Sequence, residues 1–230
     1  MGIFNKNENE WSVPASILVG SVIIAASIFL SLNGSGSSNR GTQNAGQQSN
    51  DTPPEQVDVA KRKDAPTLGS GKVEIVVFSD FQCPFCQSFW AGAYKQIKEK
   101  YVDTGKAKLV FRHFPLPIHQ FAEKAAEASE CAYKQGKFSE YHDTLFASTR
   151  SDGSGLSTTD LKKYAVNLGL DAQKFNQCLD SGETANIVKS DIADGEKAQV
   201  NGTPTIFING KRVVGALPFA EFEKVIEAEL

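Results

Sequence analysis

Four residues, Cys83-Pro84-Phe85-Cys86, follow a seven-residue run, Lys72-Val-Glu-Ile-Val-Val-Phe78, after a four-residue gap. The run is β-branched and unbroken, which suits a buried strand. A proline directly after the first cysteine suits the first position of a helix, where its missing N–H costs nothing. The chain is therefore expected to run strand, short turn, helix. Cys83 falls at the helix amino end, and Cys86 lies one turn on along the same face. Free backbone N–H groups and the helix dipole stabilise an anion at that end. Cys83 becomes the more acidic and more nucleophilic thiol. Cys86 can attack a mixed disulfide formed at Cys83. This arrangement points to thiol–disulfide exchange.

The pair has two other readings. Half a zinc site shares this cysteine spacing but needs a second close pair of ligands. Cys131 and Cys178 are isolated from each other, and His113, His119 and His142 form no pair with zinc-finger spacing. No metal is expected, and no cofactor. A purely structural disulfide between Cys83 and Cys86 would need neither the proline nor an anion-stabilising site. Net charge of -3 and a pI of about 5.7 argue against a nucleic-acid footprint, which needs a basic face.

Beyond the motif, residues 87–101 have aromatic residues at near-helical spacing, and 107–111 reads as a second strand. Residues 120–133 and 138–147 read as helices. Ser157 and Asp171 resemble helix caps, and a helix over 183–199 is weakened by Gly195. Asn209-Gly210 between β-prone runs is a hairpin signal. Residues 219–229 close the chain as a helix.

Val200-Asn-Gly-Thr203-Pro204-Thr205 stands just before that hairpin. CPFC after a buried strand, VNGTPT before a hairpin and a helical stretch between them resemble the DsbA-like branch of the thioredoxin superfamily. In particular they resemble its membrane-anchored bacterial thiol–disulfide oxidoreductases. The resemblance covers about Pro66 to Leu230. It implies an α/β thioredoxin fold with an inserted helical domain at about 118–199. It makes Cys83 the attacking cysteine, Cys86 the resolving one and Pro204 a cis-proline opposite them. Thr203, Pro84 and Phe85 would then meet an extended substrate. Two departures stand out. Many thioredoxin-fold enzymes hold a buried acid six residues before the first cysteine, where this chain has Val77. The residue between the cysteines that is histidine in the best-known DsbA motif is Phe85 here. Without that histidine, and with no Lys or Arg close in sequence, Cys83 is expected to be mostly thiolate at neutral pH and to protonate in mild acid. His113 and His119 read as surface or packing residues.

Residues 14–32 carry no charge and are long enough to cross a bilayer core. Residues 1–10 are expected to be a short tail, 11–32 an uncleaved membrane anchor rather than a cleaved signal, 33–65 a flexible linker and 66–230 the catalytic domain. Residues 33–56 hold no aliphatic side chain larger than alanine and cannot offset their ordering entropy. The chain is expected to act outside the cytoplasm on reduced or unfolded proteins, most directly as an oxidase. A reductase or isomerase is the alternative, and a non-catalytic peptide-binding or chaperone module a further one. Family resemblance implies a membrane quinone-linked oxidase as recycling partner. Cys131 and Cys178 sit on expected helices among apolar neighbours. They are expected to form a structural disulfide, with two buried free thiols as the other possibility.

Overall fold

A computed structural model describes residues 56–230. The expected tail, the anchor at 11–32 and the linker as far as residue 55 lie outside the described residues. Among the described residues no helix is long and apolar enough to cross a membrane.

Strands β1 (Thr67–Gly69), β2 (Val73–Ser79), β3 (Ala107–His113), β4 (Thr205–Ile208) and β5 (Lys211–Val214) form one sheet in the order β1-β3-β2-β4-β5. β2 and β3 run parallel, with Val73 opposite Ala107 and Ser79 opposite His113. The other pairs are antiparallel. Helix α1 (Pro84–Phe89) leaves β2 and continues through π-helical turns at Trp90–Tyr94 and Lys98–Val102, with the short α2 (Lys95–Ile97) between them. Five helices lie between β3 and β4: α3 (Ala122–Tyr133), α4 (Phe138–Ser148), α5 (Thr158–Asn167), α6 (Ala172–Ser181) and α7 (Ala185–Lys197). Helix α8 (Phe219–Glu227) ends the domain. The result is a thioredoxin-like α/β frame with a helical insertion.

Ile75 to Phe78 of β2 are apolar without a break because both faces of the strand are buried there. Val73, Ile75 and Val77 join a core with Phe89, Ile97, Ile206 and Phe222. Val76 and Phe78 join a second core with Phe114, Ala198 and Phe207. A third core fills the insertion with Tyr141, Leu145, Phe146 and Phe175, and it includes Phe81, Cys83 and Cys86. The cysteine motif thus lies at the seam between sheet and insertion.

Local signals behave as their chemistry requires. The Ser157 Oγ accepts the Asp160 N–H at 3.2 Å, and the Asp171 Oδ1 accepts the Lys174 N–H at 3.0 Å. Asn209 and Gly210 have φ of 45° and 86°, the positive values a two-residue hairpin of this type needs. Gly195 has a packing reason. A Cβ there would lie 2.6 Å from a Phe114 ring carbon and 3.1 Å from a Phe78 ring carbon, so only glycine lets α7 come this close.

Residues 56–65, read from sequence as the end of the linker, pack on the domain. The Val57 N–H donates to the Gly210 carbonyl at 2.8 Å, and Gln56 Nε2 donates to the Asn209 carbonyl at 2.8 Å. Arg62 reaches Glu130 at 2.6 Å and Asp191 at 3.2 Å. One arginine with two buried partners orders a segment whose composition is otherwise that of a coil.

Cys131 on α3 and Cys178 on α6 are joined by a disulfide across a sequence separation of 47. Closing a loop of that size removes about 4 kcal/mol of chain entropy from the unfolded state. The double variant Cys131→Ala/Cys178→Ala is therefore expected to lose about 2–5 kcal/mol in denaturant titration. An unchanged midpoint would show that helix packing alone holds α3 against α6.

Candidate functional site

The turn from β2 delivers Cys83 to the N-cap of α1, with Pro84 in the first turn. The Asp80 carbonyl accepts the Cys83 N–H at 3.1 Å, and the Cys83 carbonyl accepts the Gln87 N–H at 3.0 Å. Both thiols are free and buried, Cys83 being 3% exposed and Cys86 1%. Phe85, between them, is 65% exposed and faces solvent.

The two thiols have opposite proton affinities. Cys83 is lowered from 9.0 to about 6. The hydrogen bond from Cys86 is the largest cause. Burial opposes it, and the Thr203 side chain and the N–H groups of Cys86 and Phe85 add to the lowering. Cys86 is pushed up, first by burial and then by its bond to Cys83 and the charge there. The helix terminus was the cause expected from sequence. Its N–H groups do contribute, but they rank behind the neighbouring thiol.

Thr203 and Pro204, joined by a cis peptide bond, stand opposite Cys83. As a thiol, Cys83 donates to the Thr203 carbonyl at 3.4 Å. The Thr203 Oγ1 is buried and has no other partner among the described residues, so it can donate to the thiolate. Pro204 is held in turn, its carbonyl accepting the Gly215 N–H at 2.8 Å. Thr203→Val is expected to raise the Cys83 midpoint from about 6 by about one unit, since a hydrogen bond to a charged group contributes about 1.5–3 kcal/mol. Alkylation rate against pH measures it. An unmoved midpoint would leave the thiolate resting on Cys86 and backbone donors alone.

Asp80, Gln82 and His119, which the sequence reading gave no role in the site, also belong here. The Asp80 Oδ1 accepts the Gln82 N–H at 2.7 Å, and its Oδ2 accepts the Leu116 N–H at 2.8 Å and lies 2.7 Å from His119 Nδ1. The Gln82 Oε1 accepts the Phe121 N–H at 2.9 Å. Together they tie residues 116–121 to the turn before Cys83. An aspartate bonding the N–H two residues on is a local turn signal that could have marked Asp80. His119 is thus a partner of the motif rather than a packing residue.

His113 lies elsewhere, bonded to Glu130 at 2.9 Å. With Asp191 these donors fall within 4.8 Å of one another, a cluster that could suit a metal. Arg62 and Arg112 already engage its carboxylates. Glu130 is pulled below the usual carboxylate range because His113 and Arg62 outweigh its burial. His142 is buried against Phe81, Phe111 and Phe146. Burial lowers its proton affinity.

The thioredoxin family pattern matches residues 64–228. Na(+)/H(+) antiporter NhaA 3 of Salinispora tropica is 38% identical over 141 residues, which is 61% of this chain but 20% of the antiporter. The chain likewise spans 27% of antiporter NhaA 1 of Mycolicibacterium gilvum, at 36% identity and 76% of its own length. The probable disulfide bond formation protein D of Bacillus cereus is 31% identical over 69% of this chain and 74% of that protein. Oxidised BdbD of Bacillus subtilis superposes with a TM-score of 0.69 at 26% identity, covering 78% of this chain and 98% of BdbD. Alpha-DsbA1 of Wolbachia pipientis gives 0.64 at 25% identity, with 73% and 92% covered.

Proposed function

The chain belongs to the thioredoxin superfamily, in its DsbA-like branch, and from that premise we propose that it introduces disulfides into extracytoplasmic proteins. A substrate thiolate attacks the Cys83 sulfur of the oxidised pair. The Cys83–Cys86 bond breaks, and Cys86 leaves and takes up the proton that the substrate thiol released. A second substrate thiolate then attacks the mixed disulfide, and Cys83 leaves as a thiolate. Two electrons pass from the substrate dithiol to the pair. The sulfurs alone carry this chemistry, without metal or cofactor.

The unequal acidity of the two thiols carries the reading. A Cys83 thiolate stable above about pH 6 is a good leaving group, and stabilising the reduced form makes a disulfide oxidising. A folded-state value below the unfolded one means the reduced protein gains stability as pH rises from about 6 towards 9.0 and loses it as pH falls through about 6. The Cys131–Cys178 disulfide supports an oxidising compartment. Residues 11–32 would hold the protein to the cell membrane as a single-pass anchor, with the catalytic domain outside. Exposed Phe85 and the Thr203 backbone would meet a reduced or unfolded polypeptide. A membrane quinone-linked oxidase would return the pair to the disulfide.

The test is the potential of the Cys83–Cys86 pair against glutathione, measured together with oxidation of reduced, unfolded ribonuclease. A pair more oxidising than glutathione that refills ribonuclease disulfides is the expected result. A pair more reducing than glutathione would make the protein a reductase. A pair inert to both would leave a binding module.

A further inference from the structure

We propose that the cavity beneath residues 56–62 is a site for a phosphate group, with Lys61, Lys72 and Lys108 as its cations. Strand register sets the floor. Val110, Val76 and Phe207 stand side by side across β3, β2 and β4, and Lys108 and Glu74 form the row before them. Residues two apart on a strand share a face, so both rows point the same way. Residues 56–62 pass over them, with Val57 and Val59 packed towards Val76 and Phe207. The segment is held at both ends. Gln56 and Val57 bond to the Asn209-Gly210 turn. At the other end the Ala60 carbonyl accepts from Arg112 at 2.7 Å, and Arg62 grips Glu130 and Asp191. Between these holds, Asp58 and Val59 make no hydrogen bond among the described residues. Fixed ends keep the segment from settling onto the sheet, and a cavity of about 420 Å³ remains beneath it. A second, of about 220 Å³, shares Val59 and Lys61 in its wall.

The rim is cationic on a chain whose net charge is -3. Lys61, Lys72 and Lys108 line the larger cavity and Lys63 the smaller one, against two carboxylates, Asp58 and Glu74. Glu74 is engaged by Lys108 at 2.8 Å. Lys61, Lys63 and Lys72 have no ion pair among the described residues. Arg62 and Arg112 also border the smaller cavity, but their charges meet Glu130, Asp191 and Asp194. The lysines come from separate segments that only the fold brings together: Lys61 crosses above the sheet, Lys72 precedes β2 and Lys108 lies in β3. Ammonium groups are compact point charges suited to phosphate oxygens. Val76 and Phe207 beneath exclude water from one side, which strengthens the attraction. The larger cavity has the size of a ligand site, for which about 300–1,000 Å³ is usual. Inorganic phosphate and the phosphodiester head of an anionic lipid share the chemistry this rim recognises.

The experiment follows acetylation of lysines by an N-hydroxysuccinimide ester, read by mass spectrometry on the full chain in neutral detergent. Sodium phosphate replaces sodium chloride at constant ionic strength. Lys61, Lys72 and Lys108 are expected to react several-fold more slowly at saturating phosphate. Lys163 and Lys189, exposed and outside the cavity, should keep their rates. In Lys61→Ala/Lys72→Ala the phosphate concentration that half-protects Lys108 is expected to rise about tenfold, as the loss of two part-exposed ion pairs implies. Lys163→Ala/Lys189→Ala removes equal charge elsewhere and should leave it unchanged. Vesicles separate the two sources. If the anion is a lipid head, the chain in phosphatidylglycerol vesicles is protected without added phosphate, and the chain in phosphatidylcholine vesicles is not. If it is a free anion, both need added phosphate. Either pattern supports the site. Protection spread evenly over all lysines, or absent from these three, overturns it, as does a double variant that protects Lys108 like wild type. No step uses the cysteine pair, so the result stands apart from the disulfide reading.

Discussion

Cys83→Ser is expected to abolish exchange, with turnover of reduced ribonuclease falling by roughly a thousandfold or more, whereas Cys86→Ala should stall after the first step. The two sulfurs are close neighbours with different chemistry. Cys83 is mostly thiolate at neutral pH, since its pKa is about 6. Cys86 is 1% exposed and its proton is held more tightly than usual. A thiol in that state neither reaches a substrate nor ionises readily. Without Cys83 the remaining cysteine is inert. Without Cys86, Cys83 still reacts with a small disulfide, but no resolving thiol follows, and adducts accumulate. Cys86→Ala also removes the largest cause of the low Cys83 value, so its midpoint should rise while Cys83 remains the alkylated site. Mass spectrometry of trapped adducts checks both points. Turnover surviving in Cys83→Ser, or adducts mapping to Cys86, would reverse the assignment of roles.

The second large effect is on stability. Asp191→Ala is expected to cost about 3–5 kcal/mol, the usual loss when one partner of a buried charge cluster is removed. Asp191 is fully buried. Its Oδ1 accepts from Arg112 Nε at 2.5 Å, and its Oδ2 accepts from Arg62 Nη1 at 3.2 Å and the His113 N–H at 2.9 Å. Truncation leaves the Arg112 guanidinium in the interior bonded to Asp194 and the Ala60 carbonyl. It also strips a strand N–H of its acceptor. For a domain of this size such a loss lowers the melting temperature by about 10–15 °C. Glu183→Ala is the control, because its bond to Lys134 joins two side chains about half exposed and should contribute no more than about 1 kcal/mol. Thermal denaturation compares them. Equal, small shifts would mean that the cluster contributes little to folding.

This cluster also marks where sequence reading stopped. The motif, the β2 run, the Asn209-Gly210 turn and the caps at Ser157 and Asp171 are local, and each was legible from a few neighbouring residues. From sequence the second strand reads as 107–111. It runs to His113 since Arg112 finds Asp191, 79 positions away. Arg62 likewise converts a coil-like segment into part of the fold through Glu130, 68 positions on. β1 is three residues long and carries no pattern to read. The π-helical turns after α1 have no composition of their own either. In the site, Asp80 was visible and His119 was visible, but their pairing depends on the path of residues 114–121, which only the folded chain defines.

The direction of β2 has a mechanical consequence. Its amino end meets the Asn209-Gly210 turn, where the Asn209 N–H donates to the Glu74 carbonyl and where Gln56 is bonded. Its carboxyl end feeds the motif. Seven residues of strand at about 3.3 Å each separate the two by about 20 Å. Gln56, the first described residue, therefore lies at the end of β2 remote from the reactive sulfur. A bulky group carried at Gln56 is expected to leave the sulfur unobstructed, while one placed beyond the motif would shade it.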